Sequence, residues 1–193
     1  MIRIAVVDDH PALRAGLHAV LDAEPGIVYV GESAGDEESL WPLLNHTRPD
    51  VVMLDYHLPR GDGMQLCYRI KAAPTAPRVI LFSAYASPSL ALAARLAGAD
   101  GMLRKDLGAR EVFESIRRIH RGESLLPGLD PRALSEASRR LDPRQRIVVG
   151  MILDGERESS VAEALRLERS EVGHLVQRTL HDLRLDPSAL ITD

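Results

Sequence analysis

"VVMLDYHLPRGDG", residues 51–63, is the stretch on which the reading of this chain turns. An apolar, β-branched run enters Asp55 and then a loop punctuated by Pro59, Gly61 and Gly63. A short continuous apolar run bounded by turn residues reads as a strand buried on both faces. A carboxylate at its end costs on the order of several kcal/mol unless it is paired or holds a metal. Asp55 therefore raises the question of which other polar groups gather at the same edge.

Runs of the same kind recur on either side. "IRIAVV" (2–7), "IVYVG" (27–31), "DVVMLD" (50–55), "RVILFS" (78–83) and "GMLRK" (101–105) read as strands. Between them the apolar residues take helical spacing: Leu13, Leu17, Val20 and Leu21; Leu66 and Ile70; Val112, Ile116 and Ile119. Strands alternating with helices at this pitch predict βαβ units and a parallel sheet covered on both faces. Residues 1–121 are read as one doubly wound α/β domain of five strands.

Beyond residue 121 the texture changes. "GESLLPGLDPRALSEASRR" (122–140) is rich in turn residues and poor in periodic apolar content, so 122–141 reads as a linker with room for one short helix. Asp142-Pro143 predicts a helix cap with proline in the first turn. Helical stripes then follow and no strand: Ile147, Val148, Met151 and Ile152; Val161 and Leu165; Val172, Val176, Leu180 and Leu183.

Composition sets looser bounds. The chain has 193 residues, 45% hydrophobic and 27% charged, and a net charge of -4, so bulk electrostatics give no reason to expect nucleic acid or a membrane as partner. No apolar run approaches the ~18 residues that span a bilayer, and "MIRIAVVDDH" lacks a signal-peptide core. Cys67 is the only cysteine, which excludes an internal disulfide and suits a reducing cytosol. The expectation is a soluble cytoplasmic protein.

In an open parallel sheet, ligands bind outside the carboxyl ends of the strands. Here the first strand ends in Asp8-Asp9, the third in Asp55, the fourth in Ser83 and the fifth in Lys105. Crowded carboxylates repel one another, and a hard cation with oxygen ligands, most simply Mg2+, relieves that. One carboxylate can then attack phosphorus, while a hydroxyl and an ammonium hold the remaining phosphoryl oxygens. Each residue alone has an ordinary reading: Asp8 or Asp9 as a cap for a helix opening at Pro11, Ser83 as a strand-end hydroxyl, Lys105 as a solvated lysine. Their conjunction at successive strand ends points to chemistry, with Asp55 the best placed nucleophile.

These residues resemble a known family. "VVDDHPALRAGL", "VMLDYHLPRGDG", "LFSAYAS" and "GADGMLRKD" are similar, in order and spacing, to the motifs of the receiver domain of two-component response regulators, and "DDHPALRAGL" to the NarL/LuxR type in particular. The resemblance implies a flavodoxin-like fold and phosphorylation of Asp55 by a sensor histidine kinase or a small phosphodonor. It also implies Mg2+ held by Asp9, Asp55 and the backbone carbonyl of His57, with Asp8 assisting, and phosphate contacts from Ser83 and Lys105. The family's switch aromatic, three residues before the lysine, is replaced by Met102, and Tyr85 stands as a substitute for part of that role.

Residues 142–185 are similar to the helix-turn-helix effector of the same type, which makes DNA and a second copy of the chain the implied partners. Residues 142–193 are assigned to this effector in atypical form, with Arg169, His174, Gln177 and Arg178 as the groove-facing candidates. The stretch carries seven arginines against ten acidic residues, a balance of 7 − 10 = -3, and phosphate contacts supply much of the affinity of such modules. Two functions follow. One is transcription control by a phosphorylated regulator that binds DNA. The alternative is a regulator whose degenerate helix-turn-helix binds a protein. Nothing else in the chain reads as an enzyme centre for an external substrate.

Overall fold

The computed structural model describes residues 1–59, 61–84 and 90–184. Five parallel strands form one sheet: β1 (Ile2–Val7), β2 (Ile27–Ser33), β3 (Val51–Asp55), β6 (Arg78–Ser83) and β7 (Gly101–Arg104), in the order β2-β1-β3-β6-β7. This is the doubly wound, flavodoxin-like order, with its reversal between β1 and β3. β2 runs two residues further than its apolar run. It carries an irregularity at Ile4/Ala5 of β1, beside Gly31, whose φ of 146° suits glycine.

Alternation along the strands splits the core. Ile4, Val6, Val51, Met53, Ile80, Phe82 and Leu103 bury one face with Leu17 and Leu21 of α1 (Pro11–Asp22) and with Val112, Ile116 and Ile119 of α5 (Ala109–His120). On α1, Leu13 is half-buried and Val20 is exposed, so the helix turns a narrower stripe inward than its spacing suggests. α2 (Glu37–Thr47) and α3 (Gly63–Lys71) bury Leu40, Met64, Leu66, Cys67 and Ile70. A small antiparallel pair, β4 (His57–Leu58) with β5 (Gly61–Asp62), shapes the loop after Asp55.

The described residues fall into two compact units. The first runs from Met1 through β6 and resumes at Gly98 to end at Leu126. The second takes α4 (Ala91–Leu96) up to Ala97 and resumes at Pro127. The start of the expected linker thus belongs to the sheet: Leu125 forms a parallel bridge with Gly101, donates its N–H to the Asp100 carbonyl at 2.9 Å and accepts from the Met102 N–H at 3.1 Å.

In the second unit, α6 (Pro131–Arg140) fills the rest of the linker, and α7 (Pro143–Leu153), α8 (Glu158–Leu165) and α9 (Arg169–Asp182) follow. The expected cap at Asp142 is present. Its carboxylate accepts from the Gln145 N–H at 2.9 Å, the Gln145 side chain accepts from the Asp142 N–H at 2.8 Å, and Pro143 opens the helix. On α7 the buried pair is Val148 and Val149, while Ile147 is half exposed. Between α8 and α9, Arg166 turns the chain in the left-handed region at φ 55°.

Candidate functional site

Register brings the polar strand ends together. Val7 lies opposite Leu54, Asp55 opposite Phe82, and Ser83 opposite Arg104, so residues 8, 55, 83 and 105 share one edge of the sheet. The Lys105 N–H donates to the Ser83 carbonyl at 2.9 Å, carrying the ladder one residue past β7. Ser83 itself is buried.

The Lys105 ammonium bridges two buried carboxylates, reaching Asp8 Oδ2 at 2.6 Å and Asp55 Oδ2 at 2.7 Å. Asp8 and Asp55 are only 2% and 3% exposed. Burial raises the Asp55 carboxyl above the usual carboxylate range, against the pull of Lys105. Burial alone would lower the Lys105 ammonium, but its hydrogen bonds and charge contacts with Asp55 and Asp8 outweigh that and hold it above its usual value. Lys105 is thereby held as a cation between two carboxyl groups that the protein has taken out of water.

Three features of this site lie beyond the residues read from the sequence. Arg14 of α1 donates to the Asp8 carbonyl at 2.7 Å and to Glu32 Oε1 at 3.0 Å, with the Tyr29 hydroxyl donating to the same carboxylate, so a network reaching the surface at Glu32 fixes the backbone behind Asp8. His10 places its ring Nδ1 2.8 Å from Asp9 Oδ1 and 3.2 Å from Asp8 Oδ1. Gly63, first residue of α3, lies so close under the loop that a Cβ would stand 2.7 Å from the Tyr56 Cα and 2.8 Å from its carbonyl oxygen. Their signals are present in "DDHPALRAGL" and "RGDG", but only as neighbours of residues with louder chemistry.

The site fits a hard cation. One ligand atom each from Asp8, Asp9, His10 and Asp55 can lie within 4.8 Å of one another. Asp9 Oδ1 is closed to solvent and makes no hydrogen bond, with the His10 ring Nδ1 2.8 Å away. A buried carboxylate oxygen in that position could serve as a ligand atom for a cation. The His57 N–H donates to Asp55 Oδ1 at 3.1 Å, which fixes the carboxylate from the loop side. Met102 is buried in β7. Tyr85 lies outside the described residues.

The comparisons agree with this arrangement. The model of the response regulator receiver domain matches residues 4–117. The chain belongs to the response regulator family. It is 30% identical over 196 residues to the DNA-binding transcriptional activator DevR/DosR of Mycobacterium tuberculosis, covering 96% of this chain and 90% of that one. Identity to the nitrate/nitrite response regulator protein NarL of Escherichia coli is 28% over 193 residues, covering 94% and 89%. Among solved structures, the signal receiver domain of the putative response regulator NarL from Mycobacterium tuberculosis aligns with a TM-score of 0.58 at 32% identity, over 63% of this chain and 98% of that one. The response regulator described here is of the NarL/LuxR type, a two-component signalling protein.

The effector candidates sit on α9. Its buried side is Val172, Val176, Thr179 and Leu180, with Leu175 half-buried. Arg169, His174 and Arg178 are exposed, and Gln177 and Gly173 are half-buried. Arg178 is ion-paired with Asp142, the cap of α7. Gln145, buried, donates to Asp182 at 2.6 Å. The Glu171 carboxylate accepts from the Glu168 N–H at 2.8 Å and so caps α9 from within.

Proposed function

We propose that Asp55 is the phosphoacceptor of this regulator and that its phosphorylation controls output from residues 142–193. The observation that carries this is the Lys105 ammonium held between the Asp8 and Asp55 carboxylates at one sheet edge. Asp9, Asp55 and the His57 carbonyl, with Asp8 assisting, would hold Mg2+, which supplies charge neutralisation for the incoming phosphoryl group. Asp55 offers the attacking oxygen. Lys105 then exchanges a carboxylate for a phosphoryl oxygen without leaving the edge, and the Ser83 hydroxyl takes another. The phosphodonor is a sensor histidine kinase or a small acyl phosphate, and the compartment is the cytoplasm. No helix of the described residues is long and apolar enough to cross a membrane.

The receiver is assigned to 1–121, its sheet completed by Leu125 from the start of the 122–141 linker, and the helix-turn-helix effector to 142–193. For output, DNA control of transcription is the first reading, supported by the exposed stripe Arg169, His174 and Arg178 with Gln177 beside it, acting in a homodimer. A protein partner is the second reading, favoured by the charge of -3 on 142–193 and by the commitment of Arg178 to Asp142. Acid-labile phosphate incorporation from a small acyl phosphate with Mg2+ tests the core of the proposal. Wild type should label and Asp55→Asn should not; label surviving in the variant would move the nucleophile elsewhere, with Asp9 first in line.

A further inference from the structure

We propose that His10 is a further side-chain ligand of the metal site, and that its imidazole makes the site prefer Mn2+, Co2+ and Zn2+ over Mg2+. The inference rests on the reading of Asp9 and Asp55 as metal ligands and adds a residue and an ion preference to it.

Geometry carries it first. An octahedral ion with bonds of about 2.1 Å sets neighbouring ligand atoms about 3.0 Å apart and opposite ones about 4.2 Å apart. His10 Nδ1 stands 2.8 Å from Asp9 Oδ1 and 3.2 Å from Asp8 Oδ1, which are neighbour distances on such a shell. One ligand atom from each of Asp8, Asp9, His10 and Asp55 lies within 4.8 Å of the other three. One ion can therefore touch the imidazole and the carboxylates together.

Local structure explains why the ring is there. His10 is the N-cap of α1, with an extended backbone at φ -86° and ψ 105°, yet its side chain makes no capping hydrogen bond. Its N–H instead donates to Asp8 Oδ1 at 2.8 Å, and Pro11 fixes the chain immediately after it. Both constraints turn the ring toward the carboxylates. The ring is 67% exposed, so it stands at the mouth of the site, where ions enter from water. Asp9 Oδ1, shielded and without a hydrogen bond, lies on the side that the ring approaches.

Ligand chemistry then sets the preference. Mg2+ takes oxygen ligands and gives up its waters reluctantly, so it gains little from an imidazole. Mn2+, Co2+ and Zn2+ accept imidazole nitrogen increasingly well. Lys105 competes for Asp8 and Asp55 whichever ion arrives, so it cancels from the comparison between ions. The rival account is that His10 is a cation that merely neutralises the carboxylates, as Lys105 does. That account predicts a uniform change, of the same size for every ion, when the ring is removed.

The experiment is calorimetric titration of the full chain and its His10→Ala variant with Mg2+, Mn2+, Co2+ and Zn2+ at about pH 7.5, where an ordinary imidazole is neutral. Visible absorption of bound Co2+ is recorded in parallel. Co2+ and Zn2+ affinities should fall about tenfold or more in the variant, Mg2+ affinity should stay within about twofold, and the Co2+ spectrum should change. Excess Mg2+ should displace Co2+ from wild type. A uniform change for all ions, an unchanged Co2+ affinity, or Co2+ that Mg2+ does not displace although Mg2+ binds would overturn the assignment. A wild type that binds no Mg2+, with Co2+ affinity still falling in His10→Ala, would sink the Mg2+-dependent phosphoacceptor reading and leave the His10 assignment standing.

Discussion

Lys105→Met removes the ammonium and keeps most of the aliphatic stem, which leaves Asp8 and Asp55 facing each other without a cation. Removing one partner of a buried ion pair costs ~3–5 kcal/mol. The Lys105 side chain retains 18% exposure and so feels some screening, which places the expected loss near the lower end, about 3 kcal/mol. Urea unfolding followed by the fluorescence of Trp41, the only tryptophan, reads the α/β unit directly. The pH dependence has a definite sign. In the variant, burial and the Asp8 charge still raise Asp55, and the opposing pull of Lys105 is gone. The folded state then binds a proton that the unfolded chain, with its ordinary carboxyl, does not. A raised carboxyl costs stability at neutral pH and returns it as pH falls through the folded value, so the deficit should shrink from pH 7 toward pH 5. Mg2+ at about a hundred times its dissociation constant should add about 2.7 kcal/mol. A loss below about 1 kcal/mol, the range of an exposed pair, or a loss indifferent to both pH and Mg2+, would refute the reasoning.

Gly63→Ala puts a methyl group against Tyr56 and the Asp55 carbonyl, an overpacking expected to cost about 1–3 kcal/mol and to slow phosphate uptake more than the lost stability alone explains. Thermal melting and labelling on the same samples check it; a variant normal in both would mean that α3 sits further from the loop. Glu171→Lys removes the cap on the Glu168 N–H, costing α9 about 1 kcal/mol, and should steepen the salt dependence of duplex DNA binding by about one unit of slope. If duplex binding persists with its slope unchanged, the α9 face does not meet DNA.

The sheet was legible because its strands announce themselves by unbroken apolar runs, and the site because the polar residues terminate those runs. Asp142-Pro143 was legible for the same reason, a cap whose chemistry is local. Other parts were not. α2 contains Pro42 inside the helix and buries only Leu40, so its stripe is too thin to register. α1 carries Val20 at helical spacing, yet exposes it, because spacing gives a period and not the width of the face it meets. The Arg14–Glu32 link spans 18 positions, and no local pattern marks it. Nor does sequence reveal that Arg178 is engaged by Asp142, which changes what it can offer a phosphate.

The bridge at Leu125 bears on where this chain can be cut. A fragment ending at residue 121 would contain every strand and helix of the α/β unit and still lack a piece of its sheet. The Met102 N–H and the Asp100 carbonyl would face water along the outer edge of β7, and Leu125 would no longer pack on the core. Bare strand edges recruit other strands, so such a fragment should associate with itself where one ending past Leu126 stays monodisperse. Insertions between Gly122 and Leu125 should be tolerated less well than insertions after Pro127, because the chain leaves this unit from its sheet and not from its last helix.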